Sequence, residues 1–248
     1  MATYTRGCIF NTDETGVYFD ESPGLIIAER GKRGSTKIKG KKRSFRATVL
    51  LAIAADGTKL PPLVVFKATS GDTVEDSFFY YPKGAFYAVQ QNAWMDMDVW
   101  KEAVIEGVWA DYCNSEDREP LALYVDNFKS HVSDESIDGL AAYGTEVVPL
   151  PPNTTAVLQP LEVGLMEPFK MRLRTLALSA EIEAASGESA EGEPRKSLRE
   201  RLLRMRKMSS EEKRRAVAKK VIQAWGSISE SNVRKAWIKS ELYTQATE

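Results

Sequence analysis

The chain has 248 residues, which is enough for one large domain or two small ones. Its hydrophobic content of 43% is normal for a core-forming protein, and a net charge of −1 excludes a global electrostatic attraction to nucleic acid. Two cysteines without a CxxC pair disfavour a thiolate zinc site, and no apolar run reaches the roughly 18 residues of a membrane span.

Apolar and β-branched runs predict strands in the N-terminal half, at residues 7–13, within 17–30 (as a turn plus strand), and at 45–55 and 61–67. The first of these strands is expected to end at Asp13, and the third to be central in the sheet. Asp56–Gly57 is a hairpin signal between the last two strands. Residues 68–93 are expected to be mostly loop.

Helices and strands alternate in the C-terminal half. Strands are predicted at 121–125 and 145–150, and helices from Asp96 or Asp98, at 133–143, at 160–180, at 196–207, at 210–225 and at 230–240. Residues 183–194 are small, acidic and rich in Gly and Ser, which is typical of a flexible linker. This order predicts a mixed α/β domain with a basic helical extension.

Three acids follow or end apolar runs, and they are the strongest indication of function. They are Asp13, Asp126 and Glu162. If the three carboxylates converge, they repel each other unless a cation lies between them, and oxygen-only ligands suit Mg²⁺ or Mn²⁺. Two such metals about 3.5–4 Å apart are the common arrangement for cutting and joining phosphodiesters. The sequence therefore favours a metal-dependent polynucleotidyl transferase.

Two basic segments stand out against the balanced net charge. Residues 30–46 hold nine Lys or Arg and no acid, and residues 195–220 hold twelve against three Glu. Such patches supply phosphate contacts, although a solvated loop and a solvated helix face are the alternatives. The run 32–43 also resembles a nuclear localisation signal, so a nuclear location is expected.

Several segments together resemble the DDE superfamily endonuclease domain of pogo, Tigger and jerky-type transposases and their domesticated relatives, such as centromere protein B. In chain order they are NTDETG at 11–16, TVLLAIAADGTKLPPLVVFK at 48–67, LYVDNFKSH at 123–131, VPLPPNTTAVLQPLEVGLMEPFK at 148–170 and IQAWGSISESNVRKAWIKSEL at 222–242. The resemblance covers nearly the whole chain. It implies a ribonuclease-H-like mixed sheet flanked by helices, with a C-terminal helical extension.

The resemblance also implies site residues. The acidic triad falls on Asp13, Asp126 and Glu162, which would hold two Mg²⁺ ions, or Mn²⁺, with no organic cofactor. Second-shell or substrate-positioning roles fall on His131, Asn127 and Gln159. For His131, a purely structural role stays open. DNA-binding residues are expected at Lys41, Lys42, Arg43, Lys170, Arg172 and Arg174.

The implied organisation is a catalytic core at 1–182, the linker at 183–194 and the extension at 195–248. DNA is the expected partner, and a homodimer is an open alternative.

Glu162 stands where Asp is usual in this branch. Family members carry helix-turn-helix modules before the core, for which the residues ahead of Asp13 leave no room.

These departures keep two other hypotheses open. One is a domesticated, catalytically inactive DNA-binding or chromatin-associated protein, and the other is an interaction module that has lost its metal.

Two smaller expectations concern side chains. Glu14 is expected to be solvated on the face of the strand opposite Asp13, and the five tryptophans are expected to lie in the core.

Overall fold

A computed structural model describes residues 4–19, 46–114, 119–186 and 207–242 of the protein. Within these residues one six-stranded sheet forms. Its strands are β1 (Ile9–Tyr18), β2 (Arg46–Ala54), β3 (Leu63–Lys67), β4 (Phe86–Gln90), β5 (Leu121–Val125) and β6 (Thr145–Pro149). Their spatial order is β4-β3-β2-β1-β5-β6.

The strand directions identify the fold. Strand β2 runs antiparallel to both of its neighbours, β1 and β3, whereas β4, β5 and β6 pair in parallel with β3, β1 and β5. An antiparallel β1-β2-β3 meander followed by two parallel strands on the far side of β1 is the ribonuclease-H-like arrangement. The fold prediction is therefore confirmed, with β4 added outside β3.

Helices cover both faces of the sheet. They are α1 (Thr73–Asp76), α2 (Met97–Val99), α3 (Ala110–Asn114), α4 (Asp134–Ala141), α5 (Thr155–Leu158), α6 (Met166–Ser186), α7 (Ser210–Gly226) and α8 (Glu230–Lys239). Two segments have π-helical hydrogen bonding: Trp100–Trp109 joins α2 to α3, and Leu161–Leu165, hereafter the π-turn, leads into α6. Short 3₁₀ helices occur at Arg6–Cys8 and Ser77–Tyr80.

Alternation along β2 divides the core into two layers. Leu50, Ala52 and Ala54 pack with the helical segment 97–114 and α4 on one face. Val49, Leu51 and Ile53 face the π-turn, α6, α7 and α8 on the other. Because both faces are covered, β2 is buried over nearly its whole length, as predicted for a central strand.

The C-terminal helices complete the second layer rather than standing apart from it. Val221 and Trp225 of α7 and Val233 and Trp237 of α8 are buried in the same cluster as the sheet. Helix α6 ends at Ser186, three residues beyond the predicted start of the linker at 183, and residues 187–206 lie outside the described part of the chain. None of the described helices combines the length and apolar character needed to cross a membrane.

Three sequence expectations differ from the structure. Residues 68–93 contain β4, α1 and a 3₁₀ turn instead of mostly loop. Strand β1 continues past Asp13 to Tyr18. Four tryptophans are buried as expected, but the Trp94 side chain is 58% exposed. The predicted strand within 17–30 falls mostly on residues outside the described ranges.

Candidate active site

Asp13 lies in the middle of β1, opposite Leu51 of β2. Its Oδ1 accepts a hydrogen bond of 2.8 Å from the main-chain N–H of Glu14. The expected strand end at Asp13 is wrong because β2 pairs with β1 as far as Tyr18 and satisfies the main-chain groups beyond the acid. The carboxylate is therefore carried by a rigid central strand.

Asp126 follows the last residue of β5, the parallel neighbour of β1. The register pairs Asn11 with Tyr124, so two residues further along both strands Asp13 and Asp126 come level. The Phe128 N–H donates to Asp126 Oδ1 at 3.0 Å, which forms an Asx-type turn. The Asp126 side chain is 31% exposed and thus reachable from solvent.

Glu162 lies in the π-turn, which begins directly after Pro160. Leu161 and Leu165 are fully buried in the core and anchor the turn. Glu162 itself is exposed. A π-helical turn is rare and occurs often at functional sites, because its extra residue re-aims the neighbouring side chains.

The pKa of Asp13 is raised by its burial and by the acids around it. Burial is the main cause that raises the pKa of the Asp13 carboxyl well above its ordinary value, followed by the adjacent charge of Glu14. The charges of Glu162 and Asp126 raise it further. Asp126 and Glu162 therefore both lie within range of the charge of Asp13, although the three acids come from separate elements.

The donor set is all oxygen, which fits Mg²⁺ or Mn²⁺ by chemical type. A divalent cation would also relieve the repulsion that raises the pKa of Asp13. No group of three or more His, Cys, Asp or Glu side chains close enough to share a metal ion occurs in the described parts of the chain. In this conformation the three carboxylates therefore do not form a complete ligand set.

His131 occupies the space between Asp126 and Glu14. Its Nδ1 lies 2.6 Å from Asp126 Oδ1 and its Nε2 lies 3.0 Å from Glu14 Oε1. The ring is 1% exposed and packs on Trp100, with the ring centroids 4.1 Å apart. Burial alone would lower the pKa of His131, but the hydrogen bonds to both carboxylates outweigh it and raise the pKa to about 9.

Protonated His131 therefore acts as a fixed cation inside the acidic site. Burial would raise the pKa of Asp126, but the hydrogen bond and charge of His131 outweigh this and hold that pKa below its ordinary value. Asp126 is thus kept as a carboxylate.

Glu14 is not solvated as the sequence suggested. It projects from the face of β1 opposite to Asp13, as expected from strand alternation, but that face is covered by the loop that carries His131. The Glu14 side chain is only 17% exposed. The site consequently holds a fourth acid, whose partner is a histidine.

Two further predicted residues brace the loops around the acids. Asn127 donates a side-chain hydrogen bond to the carbonyl of Leu150, which ties the loop after β5 to the end of β6. Gln159 is buried, and its Nε2 lies 3.5 Å from the carbonyl of Thr12, at the long limit for a hydrogen bond.

The predicted DNA-binding residues divide into two sets. Arg172 and Arg174 are exposed on α6, and Lys170 is partly buried on the same helix. Arg174 lies 3.2 Å from Glu167. The other set, Lys41, Lys42 and Arg43, lies outside the described residues.

Glu14 and Asn11 are the site residues that the sequence reasoning missed. Asn11 is fully buried, and its side chain bonds to the elements that carry the other two acids. A signal was present, because five successive polar residues, 11–15, lie in one strand, and three of them are buried. Buried polar side chains need partners, so such a run points to a cluster of contacts.

The sequence profile of the family described as DDE superfamily endonuclease matches residues 44–237, which include Asp126 and Glu162 but not Asp13. The mouse protein (Mus musculus) named "Pogo transposable element with KRAB domain" is 24% identical over 169 residues, which are 66% of this chain and 26% of that protein. Its human counterpart (Homo sapiens) is 23% identical over the same shares. The chain thus spans about a quarter of the length of these relatives.

Solved structures of the Mos1 transposase are also similar. The catalytic domain is 13% identical, with 96% of this chain and 85% of that chain covered and a TM-score of 0.37. The Mos1 mariner paired-end complex with Mn is 12% identical, with 98% and 58% covered and a TM-score of 0.42. The strand order and directions, rather than these scores, identify the fold. Since the family profile spans most of the sequence, this chain belongs to the DDE superfamily endonuclease family.

Proposed function

We propose that this chain is the core of a metal-dependent DNA endonuclease and strand transferase derived from a transposase. The observation that carries the proposal is that Asp126, after β5, and Glu162, in the π-turn, both lie within range of the charge of Asp13 in β1. Membership of the DDE endonuclease family and the similarity to pogo proteins support the same reaction. DNA is the proposed substrate.

The three carboxylates are the proposed ligands of Mg²⁺ or Mn²⁺. When bound, such ions supply a Lewis acid and lower the pKa of a water that becomes the nucleophile. The hydrogen bonds from Phe128 and His131 both go to Oδ1 of Asp126, which leaves Oδ2 as the ligating atom. His131 thus orients Asp126, as second-shell histidines and carboxylates do in other metal sites.

DNA contacts are proposed on the surface beside the π-turn. Helix α6 follows directly from the Glu162 turn, and its exposed Arg172 and Arg174 extend from the same element. Arginine pairs well with phosphate oxygens, so these side chains suit the DNA backbone near the cut. A nuclear location belongs to the same proposal, because the basic run 32–43 fits nuclear import. A homodimer is proposed only from the family resemblance.

A nicking assay tests the proposal. Purified protein with Mg²⁺ or Mn²⁺ should convert supercoiled plasmid to the open circle, and EDTA should stop the reaction. Asp126→Asn should lower the rate by about 10²-fold or more, because a ligand of the reacting centre is lost. Asp138→Asn is the matched control, as it removes an exposed acid from α4. Equal rates for Asp126→Asn and Asp138→Asn would reject the proposal.

One observation favours a second candidate, the catalytically inactive DNA-binding or chromatin-associated protein. Protonated His131 already neutralises part of the acidic cluster without a metal, through Asp126 and Glu14. For this candidate we expect DNA binding with a steep salt dependence and no metal-dependent cleavage. Isothermal titration with Mg²⁺ separates the two candidates. A heat of Mg²⁺ binding that is present in wild type and vanishes in Asp13→Ala supports the nuclease.

A further inference from the structure

Asn11 is a fully buried amide in the middle of the acidic site. Its Nδ2 donates to the carbonyl of Tyr124 in β5 at 3.1 Å. Its Oδ1 accepts from the N–H of Leu161 in the π-turn, also at 3.1 Å. One side chain of β1 is therefore hydrogen-bonded to both of the other elements that carry a predicted ligand.

Each partner of Asn11 lies one or two residues before a predicted ligand. Asn11 precedes Asp13 by two residues, its partner Tyr124 precedes Asp126 by two, and its partner Leu161 directly precedes Glu162. Asn11 therefore links β1 to both of the other segments at positions one or two residues before the acids that they carry.

The bond to Tyr124 lies where the two strands part. Main-chain pairing of β1 with β5 runs from Ile9↔Ala122 to Asn11↔Tyr124 within the described residues. Asp13 and Asp126 lie two residues beyond that last pair. The Asn11 amide therefore clamps the strands at the point from which the two acids diverge, which sets the distance between them.

The bond to Leu161 concerns the third acid, Glu162. An N–H in the first turn of a helix has no partner within that helix, and this one is buried with the Leu161 side chain. Asn11 Oδ1 supplies the missing acceptor and fixes the rotation of the π-turn. Since Glu162 is the next residue, that rotation decides where its carboxylate points.

We propose that Asn11 is a positioning residue that sets the mutual geometry of Asp13, Asp126 and Glu162. The inference rests on the proposed function, because it concerns the same metal-binding site. Asn11 itself touches neither metal nor DNA in this account. It acts through the main chain of the elements that carry the ligands, so its loss should weaken metal binding without removing any ligand.

The adjacent residue provides a matched control. Thr12 is also buried, and its Oγ1 donates to the carbonyl of Leu51 in β2 at 2.9 Å, a strand that carries none of the three acids. Asn11→Leu and Thr12→Val each remove buried hydrogen bonds with little change of side-chain shape. A purely structural role predicts the same behaviour for both variants, whereas a positioning role predicts a difference.

The experiment measures Mn²⁺ binding by electron paramagnetic resonance on folded, metal-free protein, together with nicking rates at saturating Mn²⁺. Asn11→Leu should raise the dissociation constant for Mn²⁺ and lower the nicking rate, each by about 10- to 100-fold, which is the range for outer-shell partners. Thr12→Val should leave both within about twofold. Similar changes in both variants would overturn the inference, while a wild-type protein that neither binds Mn²⁺ nor nicks DNA would overturn the proposed function as well.

If Asn11→Leu does not fold, Asn11→Ser replaces it. The hydroxyl can still donate and accept, but it is shorter than the amide and does not reach both partners at once, so an intermediate loss of Mn²⁺ affinity, about 3- to 10-fold, is expected. Circular dichroism and thermal unfolding in EDTA verify that each variant is folded before metal is added. A folded Asn11→Ser that matches wild type in both readouts would overturn the positioning role.

Discussion

The imidazole Nδ1 of His131 lies 2.6 Å from Oδ1 of Asp126, and the opposite ring nitrogen faces Glu14 at 3.0 Å. A buried histidine between two carboxylates is stable as a cation, because each neighbour favours the charged form. The acidic site therefore contains its own positive charge when no metal is bound.

This arrangement makes the stability of the metal-free protein depend on pH. The pKa of His131 is about 9 in the folded protein, above the ordinary value of 6.5. Its stabilising effect is therefore fully present below pH 6.5 and is lost as the pH rises through 9. We expect the free energy of unfolding to fall by on the order of 1–3 kcal/mol across that range, as measured by urea denaturation in EDTA.

His131→Gln is the control for the pH experiment, because glutamine does not titrate. Asp13, whose pKa is also raised, contributes a loss in the same direction as the pH rises. Asp126, whose pKa is lowered, contributes only as the pH falls below about 4, outside the window. A variant as pH-dependent as wild type between pH 6.5 and 9 would show that His131 is not the group responsible.

The pKa of His131 can be measured directly, because it is the only histidine in the sequence. Glu14→Gln keeps an oxygen that accepts a hydrogen bond but removes the charge, so the pKa of His131 should drop by about one unit. Proton NMR of the single imidazole measures the change. Glu135→Gln, which removes an exposed acid paired with Lys101 at 2.8 Å, should leave it unaltered. An equal pKa in both variants would contradict the contact with Glu14.

Asp13→Asn should stabilise the folded protein when no metal is present. Burial and the surrounding acids raise the pKa of this carboxyl, so a neutral amide of the same shape removes an unfavourable charge. We expect a gain on the order of 1 kcal/mol in thermal unfolding in EDTA, with loss of nicking. Added Mg²⁺ should stabilise wild type but not the variant.

Asp138→Asn is the matched control for that experiment, since it removes an exposed acid from α4. Its stability and its response to Mg²⁺ should both match wild type. A destabilised Asp13→Asn would indicate that the charge at position 13 is compensated within the protein, contrary to the raised pKa.

Much of the fold could be predicted because local chemistry determines it. Ser133 caps α4, and Ser209 with Glu212 forms the capping box of α7, both of which are visible as side-chain patterns before apolar periodicity. The buried run of β2 likewise predicts a strand covered on both faces. Strand β4 was missed because its residues are only partly buried at the sheet edge, which weakens the apolar signal.

The three acids could be predicted from the sequence, whereas their surroundings could not. Asp13, Asp126 and Glu162 stand out through family motifs and their positions at the ends of apolar runs. The pairing of Glu14 with His131 depends on a loop 117 residues away, and no local pattern encodes that contact. The double role of Asn11 likewise follows from sheet register and helix packing, which only the tertiary structure specifies.

The packing of α8 against the π-turn depends on a glycine close to Glu162. A Cβ added at Gly164 would lie 2.5 Å from the Cβ of Ala236, which is closer than side chains approach each other. Gly164→Ala should therefore push α8 away and lower the free energy of unfolding by about 1–3 kcal/mol, despite the better helix propensity of alanine. Urea denaturation measures this loss, and Mn²⁺ affinity reports any displacement of Glu162.

Gly226 provides the comparison, because a Cβ there meets nothing within 4 Å. Gly226→Ala should be neutral or slightly stabilising. The double variant Gly164→Ala, Ala236→Gly restores the lost space and should recover part of the stability, since the two sites are in contact and couple. Without such recovery, the cost of Gly164→Ala would lie in the π-turn itself rather than in its contact with α8.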